Sequence, residues 1–328
     1  MNLKLILDGF SKYYHSVIIL AKKEHAYPFF MLIDCFYSLI RYGCVINQYI
    51  DGKFYLRKSF QRKKILTYRK WVKIVSNYND KRYIHLLENK NDFNIYFSEF
   101  IGRSWLNSKQ MNTQEFLSFL MNKKEIIVKP VADWEGNGVH LVKVPNMEDK
   151  ISLEKLYENL SKDDLLLEEV IIQHPQMIFG NKSVNTIRAY TVYDDNKKTA
   201  YVFKTTLRVG VGDSIVDNSH SGGCAYEVDI NTGLIDSPNW SHSHVDEYIH
   251  PGTNICMLGR PIPHWRKVLG LCVEAANKIS SVRFIGWDVA IMKNGPILIE
   301  GNHNPDLDMI EFVGHIGYYN VIMNHLRK

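Results

Sequence analysis

Length, composition and charge limit the kinds of protein that this chain can be. The 328 residues are 45% hydrophobic and carry a modest net charge of +5, so a large buried core in one to three domains is expected rather than disorder. The five cysteines are odd in number, far apart and free of any CxxC pair, which argues against a disulfide framework or a cysteine zinc site and favours a reducing cytoplasm.

The first fifty residues predict neither export nor membrane insertion. Asp8 precedes any long apolar run, so the chain lacks the basic-then-apolar layout of a secretory signal. The most lipid-like stretch, residues 28–46, is interrupted by Asp34 and Arg41, whereas a spanning helix needs roughly 20 mostly apolar residues. We therefore expect a cytoplasmic protein.

Residues 11–47 predict amphipathic helices rich in aromatic side chains. Apolar positions recur there at helical spacing, at Phe29, Leu32, Ile33, Phe36 and Ile40. Such a stripe is more often a core face than a membrane anchor, so we expect it to be buried. A later helix is predicted in the segment MNTQEFLSFLMNKK, with Thr113 as its N-cap.

The stretch from Gly52 to Asn79 is strongly basic. It holds no Asp or Glu and nine Lys or Arg, namely Lys53, Arg57, Lys58, Arg62, Lys63, Lys64, Arg69, Lys70 and Lys73. Such a field attracts phosphate, anionic lipid or acidic polymers, and interleaved Tyr and Trp occur in many nucleic-acid binders. A solvated helical face is an equally good interpretation.

From Glu125 onward, short β-branched runs separated by turns predict a sheet-rich region. Asp195-Asn196 and Lys293-Asn294-Gly295 predict hairpins, which implies antiparallel pairing. Between these hairpins, apolar residues share one face of a helix predicted over residues 263–281.

A candidate phosphate-binding loop lies in IIVKPVADWEGNGVHLV. Lys129 ends a strand there, and Gly136 and Gly138 lie in the loop before the next strand. Glycines let backbone N–H groups approach phosphates closely, and a lysine neutralises them. The segment matches neither a P-loop nor a Rossmann motif, and an ordinary hairpin turn is the alternative.

Three polar residues near the C-terminus predict a metal site. On a hairpin centred on Asn294-Gly295, Asp288 and Glu300 come to roughly opposite positions, and Asn302 points to the same face as Glu300. Facing carboxylates repel unless a cation or proton intervenes, and hard oxygen ligands suit Mg²⁺. A catalytic acid/base pair is the competing interpretation.

Taken in chain order, these features resemble the ATP-grasp superfamily, specifically the sugar-transfer-associated branch found with bacterial surface-polysaccharide genes. The features are the lysine before a glycine loop, the acidic strand end LLLEEVI, the strand VNTIRAYTV with Asn-x-x-Arg, and a final Asp followed by Glu-x-Asn. The likeness implies an α+β ATP-grasp fold whose two lobes, about 81–175 and 176–328, grip ATP. A helical, aromatic and basic region, residues 1–80, precedes them.

The resemblance also implies a nucleotide site. Lys90, in Asn89-Lys90, resembles the first ATP-binding lysine, and Lys129 resembles the second, both directed at the phosphates. The glycine loop with Gly136 and Gly138 would cover those phosphates. Glu168 or Glu169 would accept a hydrogen bond from the adenine amino group, with backbone groups around Val170 and Ile171 completing the contact.

The catalytic and metal residues follow from the same resemblance. Asp288, Glu300 and Asn302 resemble the Mg²⁺ ligands that also position the γ-phosphate. Arg188 and Arg208 resemble arginines that hold the γ-phosphate or the acyl phosphate, since a planar guanidinium binds such oxygens bidentately. Each arginine has the alternative role of a structural ion-pair partner.

The loop DNSHSGGCAYEVD, residues 217–229, resembles the substrate loop of that superfamily. Paired glycines permit close approach of substrate, and neighbouring polar side chains add contacts. The substrate-binding residues predicted in this loop are Asn218, His220, Ser221, Gly222 and Gly223.

The implied activity is an ATP- and Mg²⁺-dependent ligase that joins a carboxylate to an amine through an acyl phosphate. The resemblance favours a sugar carboxylate such as a uronic acid, and the expected partners are that small molecule or glycan and an amine. The basic segment suggests peripheral contact with an anionic membrane or a lipid-linked glycan at the inner membrane. A peptide or amino-acid ligase and an ATP-grasp kinase are the alternatives, whereas nucleic acid is not an expected partner.

Overall fold

The structure is a computed structural model that describes residues 3–132, 138–212, 222–241, 247–315 and 317–327, with side chains from residue 13 onward. Two antiparallel sheets and a set of helices make up the described chain, so the prediction of an α+β fold is confirmed. None of the helices in these ranges is long and apolar enough to cross a membrane.

The helices and strands are numbered in chain order. The helices are α1 (Leu3–Lys23), α2 (Pro28–Tyr42), α3 (Ile46–Ile50), α4 (Ser59–Lys64), α5 (Tyr68–Tyr78), α6 (His85–Glu88), α7 (Lys90–Tyr96), α8 (Ser98–Ile101), α9 (Thr113–Leu120), α10 (Lys150–Leu160), α11 (Trp265–Lys278), α12 (Leu307–Glu311) and α13 (Tyr319–Leu326). The strands are β1 (Trp105–Asn107), β2 (Glu125–Pro130), β3 (His140–Lys143), β4 (Leu165–Glu169), β5 (Thr186–Asp194), β6 (Thr199–Val209), β7 (Cys224–Glu227), β8 (Phe284–Met292) and β9 (Gly295–Asn302). Short 3-10 helices span Phe54–Leu56, Lys81–Tyr83 and Pro175–Met177.

The first sheet has the strand order β1–β4–β2–β3, with antiparallel neighbours. Side chains of β2 and β4 such as Ile126, Val128 and Leu167 are fully buried against α9 and α10. This core is separate from those of the second sheet and gives the lobe its own hydrophobic centre.

Helix α9 begins at a reciprocal capping box. The Asn112 side chain accepts from the Glu115 N–H, and the Glu115 carboxylate accepts from the Asn112 N–H, both at 2.9 Å. The prediction of Thr113 as the N-cap was therefore wrong by one residue. Reciprocal capping requires the acid three positions after the cap, which places the cap at Asn112.

The second sheet has the strand order β7–β6–β5–β8–β9. Both predicted hairpins are confirmed, because the turns at Asp195-Asn196 and Lys293-Asn294 join the antiparallel pairs β5–β6 and β8–β9. One face packs against α11, which is somewhat shorter than predicted, and the other face packs against α5, α12 and α13. Burial on both faces fits the nearly continuous apolar run of β8, FIGWDVAIM.

The N-terminal helices have a small core of their own, and α2 corrects the sequence interpretation. Its buried residues are Met31, Cys35, Ser38 and Tyr42. Four of the five residues in the predicted core stripe point the other way, since Phe29, Ile33, Phe36 and Ile40 are 67%, 51%, 60% and 59% exposed, whereas Leu32 is partly buried against this core. The helical periodicity was predicted correctly. However, α2 has apolar side chains on both faces, and most of the predicted stripe lies on the outer face.

The buried carboxylate of Glu311 ties the N-terminal helices to the C-terminal segment. It accepts hydrogen bonds from the backbone N–H groups of Leu66 at 2.8 Å, Gly317 at 2.7 Å and Tyr318 at 3.0 Å. Asn79 adds a second tie by donating to the carbonyl of Phe284 on β8 at 2.9 Å. The N-terminal helices are thus bonded both to α12 and to β8 of the second sheet.

We predict that Asn112→Ala lowers the free energy of unfolding by about 1 kcal/mol, because the Glu115 N–H loses its acceptor. The matched control is Thr113→Ala, which should stay within about 0.5 kcal/mol of the wild type. Urea unfolding at neutral pH measures both. A larger loss for Thr113→Ala would show that the cap lies where the sequence placed it.

Candidate active site

The second sheet carries a row of charged side chains across three neighbouring strands. Arg188 on β5 lies opposite Asp288 on β8, and Asp288 lies opposite Glu300 on β9. Directly opposed residues of antiparallel strands point to the same face, so these side chains meet. The predicted pairing of Asp288 with Glu300 across the hairpin is confirmed, and Asn302 Nδ2 lies 3.3 Å from Glu300 Oε1.

Asp288 is held by two arginines in the middle of this row. Arg188 donates to it from both Nε and Nη2, the latter at 2.9 Å, and Arg208 on β6 donates from Nη1 at 2.9 Å. All three side chains are buried. Burial alone would raise the pKa of Asp288, but the two guanidinium groups outweigh it and hold that pKa well below its usual range.

Glu300 is in the opposite electrostatic situation. Burial and the neighbouring carboxylate of Asp288 both raise its pKa. Carboxylate and amide oxygens are of the kind Mg²⁺ prefers, although here both oxygens of Asp288 accept from the arginines and Asn302 donates its amide N–H to Glu300. The residues present fit a Mg²⁺ ion, which would relieve the repulsion between Glu300 and Asp288.

Two glycines near this row are required by close packing, one on each face of the sheet. A Cβ at Gly286 would lie 2.7 Å from Pro305 Cβ and 3.3 Å from Arg188 Cδ, so a side chain there would displace the arginine. A Cβ at Gly301 would lie 2.9 Å from the Trp287 ring. The glycine between Glu300 and Asn302 therefore reflects packing on the opposite face of β9.

The first sheet contributes a second buried ion cluster, centred on Glu168. Its Oε2 lies 2.8 Å from Lys129 Nζ, and its Oε1 lies 2.8 Å from Arg103 Nη2 and 3.3 Å from Asn94 Nδ2. Burial would raise the pKa of Glu168, but Lys129 and Arg103 outweigh it and hold the pKa at about 2. Two predicted nucleotide ligands, Glu168 and Lys129, thus bind each other.

Glu169 differs from its neighbour, because it is exposed and accepts from the N–H and hydroxyl of Ser104 at 3.2 and 2.8 Å. Lys90 is the other predicted nucleotide lysine. It lies at the start of α7, and its ammonium donates to the carbonyl of Pro130 at 3.1 Å, at the end of the strand that carries Lys129. The two predicted lysines therefore lie at the same strand end.

Arg103 connects the two sheets and was missed by the sequence analysis. One Nη binds Glu168 on β4, and the other donates to the carbonyl of Leu298 on β9 at 2.7 Å. It lies in the turn between α8 and β1, where no motif or periodicity marks it. Only the folded chain shows that one guanidinium joins the nucleotide strand to the strand that carries Glu300.

The two predicted glycine loops are described only in part. Gly138 has a left-handed φ of +73° and Gly222 one of +88°, conformations that favour glycine. Gly223 is buried directly before β7, and Val170 and Ile171 are half-buried just after β4. The other predicted loop residues lie outside the described ranges: Gly136, Asn218, His220 and Ser221.

Two antiparallel sheets, each with a buried carboxylate between two cations, agree with the ATP-grasp fold that the resemblance implied. Residues 72–326 match the family described as sugar-transfer associated ATP-grasp. The chain belongs to this family, as its resemblance predicted. No protein of curated function matches the chain significantly.

Several solved structures are similar to the chain at low sequence identity and low TM-score. The ATP-grasp ligase PsnB, complexed with a phosphomimetic variant of its minimal precursor, Mg and ADP, is 14% identical, with a TM-score of 0.45 over 81% of this chain and 66% of that one. D-alanyl-alanine synthetase A from Vibrio cholerae is 13% identical, with a TM-score of 0.41 over 74% and 65%. The N5-carboxyaminoimidazole ribonucleotide synthetase purK, in its ADP complex, is 8% identical, with a TM-score of 0.40 over 67% and 45%. The chain spans less than two thirds of each of these proteins, which are too remote to indicate a substrate.

We predict that Glu168→Gln lowers the free energy of unfolding by about 3 kcal/mol, because Lys129 and Arg103 then remain as buried charges without a carboxylate. Glu169→Gln, the matched control one residue along, should cost less than about 1 kcal/mol. Equal losses in urea unfolding at pH 7 would contradict the assignment of Glu168 as the buried partner.

The difference in stability between the wild type and Glu168→Gln is also predicted to depend on pH. The folded-state pKa of Glu168 is about 2, against an ordinary value of 4.5, so its contribution to stability is complete above the unfolded pKa and is lost as pH falls toward the folded pKa. The stability gap between wild type and Glu168→Gln should therefore be constant above about pH 5 and shrink below about pH 4.5. A gap that widens on acidification would contradict the charged state of Glu168.

Proposed function

We propose that the protein is an ATP-dependent ligase that joins a carboxylate to an amine through an acyl phosphate. The observation that carries this proposal is the convergence of cationic and acidic groups along β9, the strand with Glu300. Arg103 joins β9 to the Glu168–Lys129 pair. Just beyond Asn302, His303 lies 3.0 Å from Glu88, two residues before Lys90 in the chain. Groups that suit a triphosphate and groups that suit Mg²⁺ thus lie on connected elements.

In this proposal, Lys90 and Lys129 bind the phosphates of ATP. An ammonium has three N–H donors, so one fixed acceptor can orient it while its other donors reach phosphate oxygens. Glu168 supplies that fixed acceptor for Lys129, and the carbonyl of Pro130 supplies one for Lys90. Held in this way, both cations are positioned before the nucleotide arrives, which reduces the cost of ordering them.

Asp288, Glu300 and Asn302 would hold Mg²⁺, which when bound supplies positive charge to the phosphate oxygens. Arg188 and Arg208 lie in the same row and would bind the oxygens on which charge develops during phosphoryl transfer. Their contacts with Asp288 fix both guanidinium planes, so the arginines combine the ion-pair role with a direct one.

The proposed reaction has two steps. An oxygen of the substrate carboxylate attacks the γ-phosphorus, and the bond to the β–γ bridging oxygen breaks, which leaves ADP and an acyl phosphate. The amine nitrogen then attacks the acyl carbon and phosphate leaves, so that an amide forms. Positioning and charge neutralisation by the side chains above would supply most of the catalysis.

For the substrates, we propose a sugar carboxylate, such as a uronic acid in a capsule or O-antigen precursor, and an amino acid or amino alcohol. The family's association with sugar transfer supports this choice. A cytoplasmic site of action is part of the proposal. The basic segment 53–73 supports an acidic glycan or a lipid-linked diphosphate, because exposed cations remain there, namely Lys53, Lys58, Lys63, Lys64, Arg69 and Lys73.

Two cations of that segment have structural roles instead. Arg62 is buried and pairs with Asp34 at 2.6 and 2.8 Å. Lys70 donates to the carbonyls of Lys63 and Ile65, both at 2.7 Å, and burial lowers its pKa to about 8. Some cations of the basic segment therefore stabilise the fold, and the others lie on the exposed surface.

The test is ADP release by the purified protein with Mg²⁺-ATP, uronic acids or uronate-bearing sugar nucleotides, and mixed amines. We expect amine-dependent release that falls about a hundredfold or more in Glu300→Ala, because one charge-stabilising group is lost. Glu154→Ala, at an exposed position on α10, is the matched control and should keep full activity.

Other outcomes decide among the alternatives. Release that requires amino acids or peptides as the carboxylate would indicate a peptide ligase. Release without any dependence on amine, with a stable phosphorylated product, would indicate a kinase. Failure of ATP to raise the melting temperature of the wild type would contradict the nucleotide site itself.

A further inference from the structure

The outer face of α2 is a continuous apolar surface. Phe29, Ile33, Phe36 and Ile40 follow one another at spacings of four, three and four residues, so they form one stripe along the helix. Phe30 and Tyr37 widen that stripe and are 67% and 51% exposed. Exposed apolar patches of this kind mark interaction sites more often than chance.

The rotation of α2 about its axis is fixed, so the stripe cannot turn inward. Asp34, the helix's acidic residue, is bound by Arg62 and by the hydroxyl of Tyr49 at 2.8 Å. Ser38 also accepts from Arg62 at 3.2 Å. These bonds anchor the inner face, and they leave no carboxylate of α2 on the outer one.

Cationic side chains surround the stripe. Lys22 and Lys23 precede its N-terminal end, Arg41 lies at its C-terminal end, and Arg69 reaches that end by donating to the carbonyl of Ile40 at 2.7 Å. Across residues 13–79, nine Lys or Arg are exposed, against the two exposed acids Glu24 and Asp51. Exposed cations therefore outnumber exposed acids in this region, and four of them flank the two ends of the stripe along the chain or by contact, namely Lys22, Lys23, Arg41 and Arg69.

We propose that α2 docks the protein on an anionic membrane surface, with its aromatic stripe among the acyl chains and its axis parallel to the membrane. This is an interaction in addition to the proposed ligase activity. An amphipathic helix with aromatic residues on one side and cations around it binds in this way, and each cation near an anionic surface adds to the affinity. With 15 residues, α2 is about 22 Å long, too short to span a bilayer core.

The charges favour a lipid surface over a second copy of the chain. In a symmetric dimer through α2, the cations at the rim of one copy would approach those of the other, and like charges across an interface repel. An anionic headgroup layer instead neutralises the whole rim at once. Tyr27 and Phe30 also line a cleft of about 390 Å³ beside the stripe, and the acidic residues Glu24 and Asp34 contribute to its lining.

The test is co-sedimentation with mixed phosphatidylcholine–phosphatidylglycerol vesicles and with pure phosphatidylcholine vesicles. The wild type should bind the mixed vesicles, more weakly at high salt. The double variant Phe29→Ser/Phe36→Ser should partition at least about tenfold less, because two aromatic side chains no longer enter the lipid. Lys22→Gln/Lys23→Gln/Arg41→Gln should lower binding to mixed vesicles only.

The matched control is Ile151→Ser/Ile178→Ser, which removes apolar side chains that are 81% and 56% exposed elsewhere; it should bind as the wild type does. Glu300→Ala should also bind normally, so a failed ligase assay and a failed docking assay remain distinguishable. The proposal is overturned if the wild type ignores mixed vesicles, or if the Phe29/Phe36 variant binds them equally well. A dimer in light scattering that this variant dissociates, without vesicle binding, would assign the stripe to self-association instead.

Discussion

A buried carboxylate at the end of β4 holds the two sheets of this protein in relation to each other. Glu168 binds Lys129 within its own sheet and Arg103 beside it, and Arg103 in turn binds a backbone carbonyl of β9. Removing these charges from water is costly and is offset only when every charge finds a partner at good distance. The position of β9, the strand that carries Glu300, relative to Lys90 and Lys129 depends on this arrangement.

The second sheet repeats the same principle around another buried carboxylate. There the carboxylate of Asp288 is the centre and two arginines surround it, whereas Glu300 next to it has a raised pKa. Preformed pairs keep long side chains in defined positions within a low-dielectric site, where fixed charges act strongly on a developing charge. The Glu300 end of the row is where additional positive charge would be stabilised most.

The sequence predicted the antiparallel pairing of β8 with β9 and the meeting of their carboxylates because local rules largely determine these features. Turn chemistry at Lys293-Asn294 and the two-residue period of strands bring Asp288 close to Glu300, and a β-bulge between Asp288 and Val289 sets the direct pairing of the two residues. Arg103 could not be found in this way, since its two contacts are with strands far apart in sequence. The prediction that the α2 stripe is buried was wrong for another reason. Helical periodicity shows that apolar residues share a face, but it does not show which of two apolar faces is covered.

The bond between Glu311 and the N–H of Leu66 joins residues 245 positions apart. The core beneath it likewise combines Ile74 of α5 with Ile322 and Leu326 of α13. During synthesis, which proceeds from the N-terminus, α5 must therefore wait for almost the whole chain before its buried face is covered. The N-terminal helices around α2 have their own small core and can form earlier, so the much later segment around Glu311 and α13 is the one that attaches them to the second sheet.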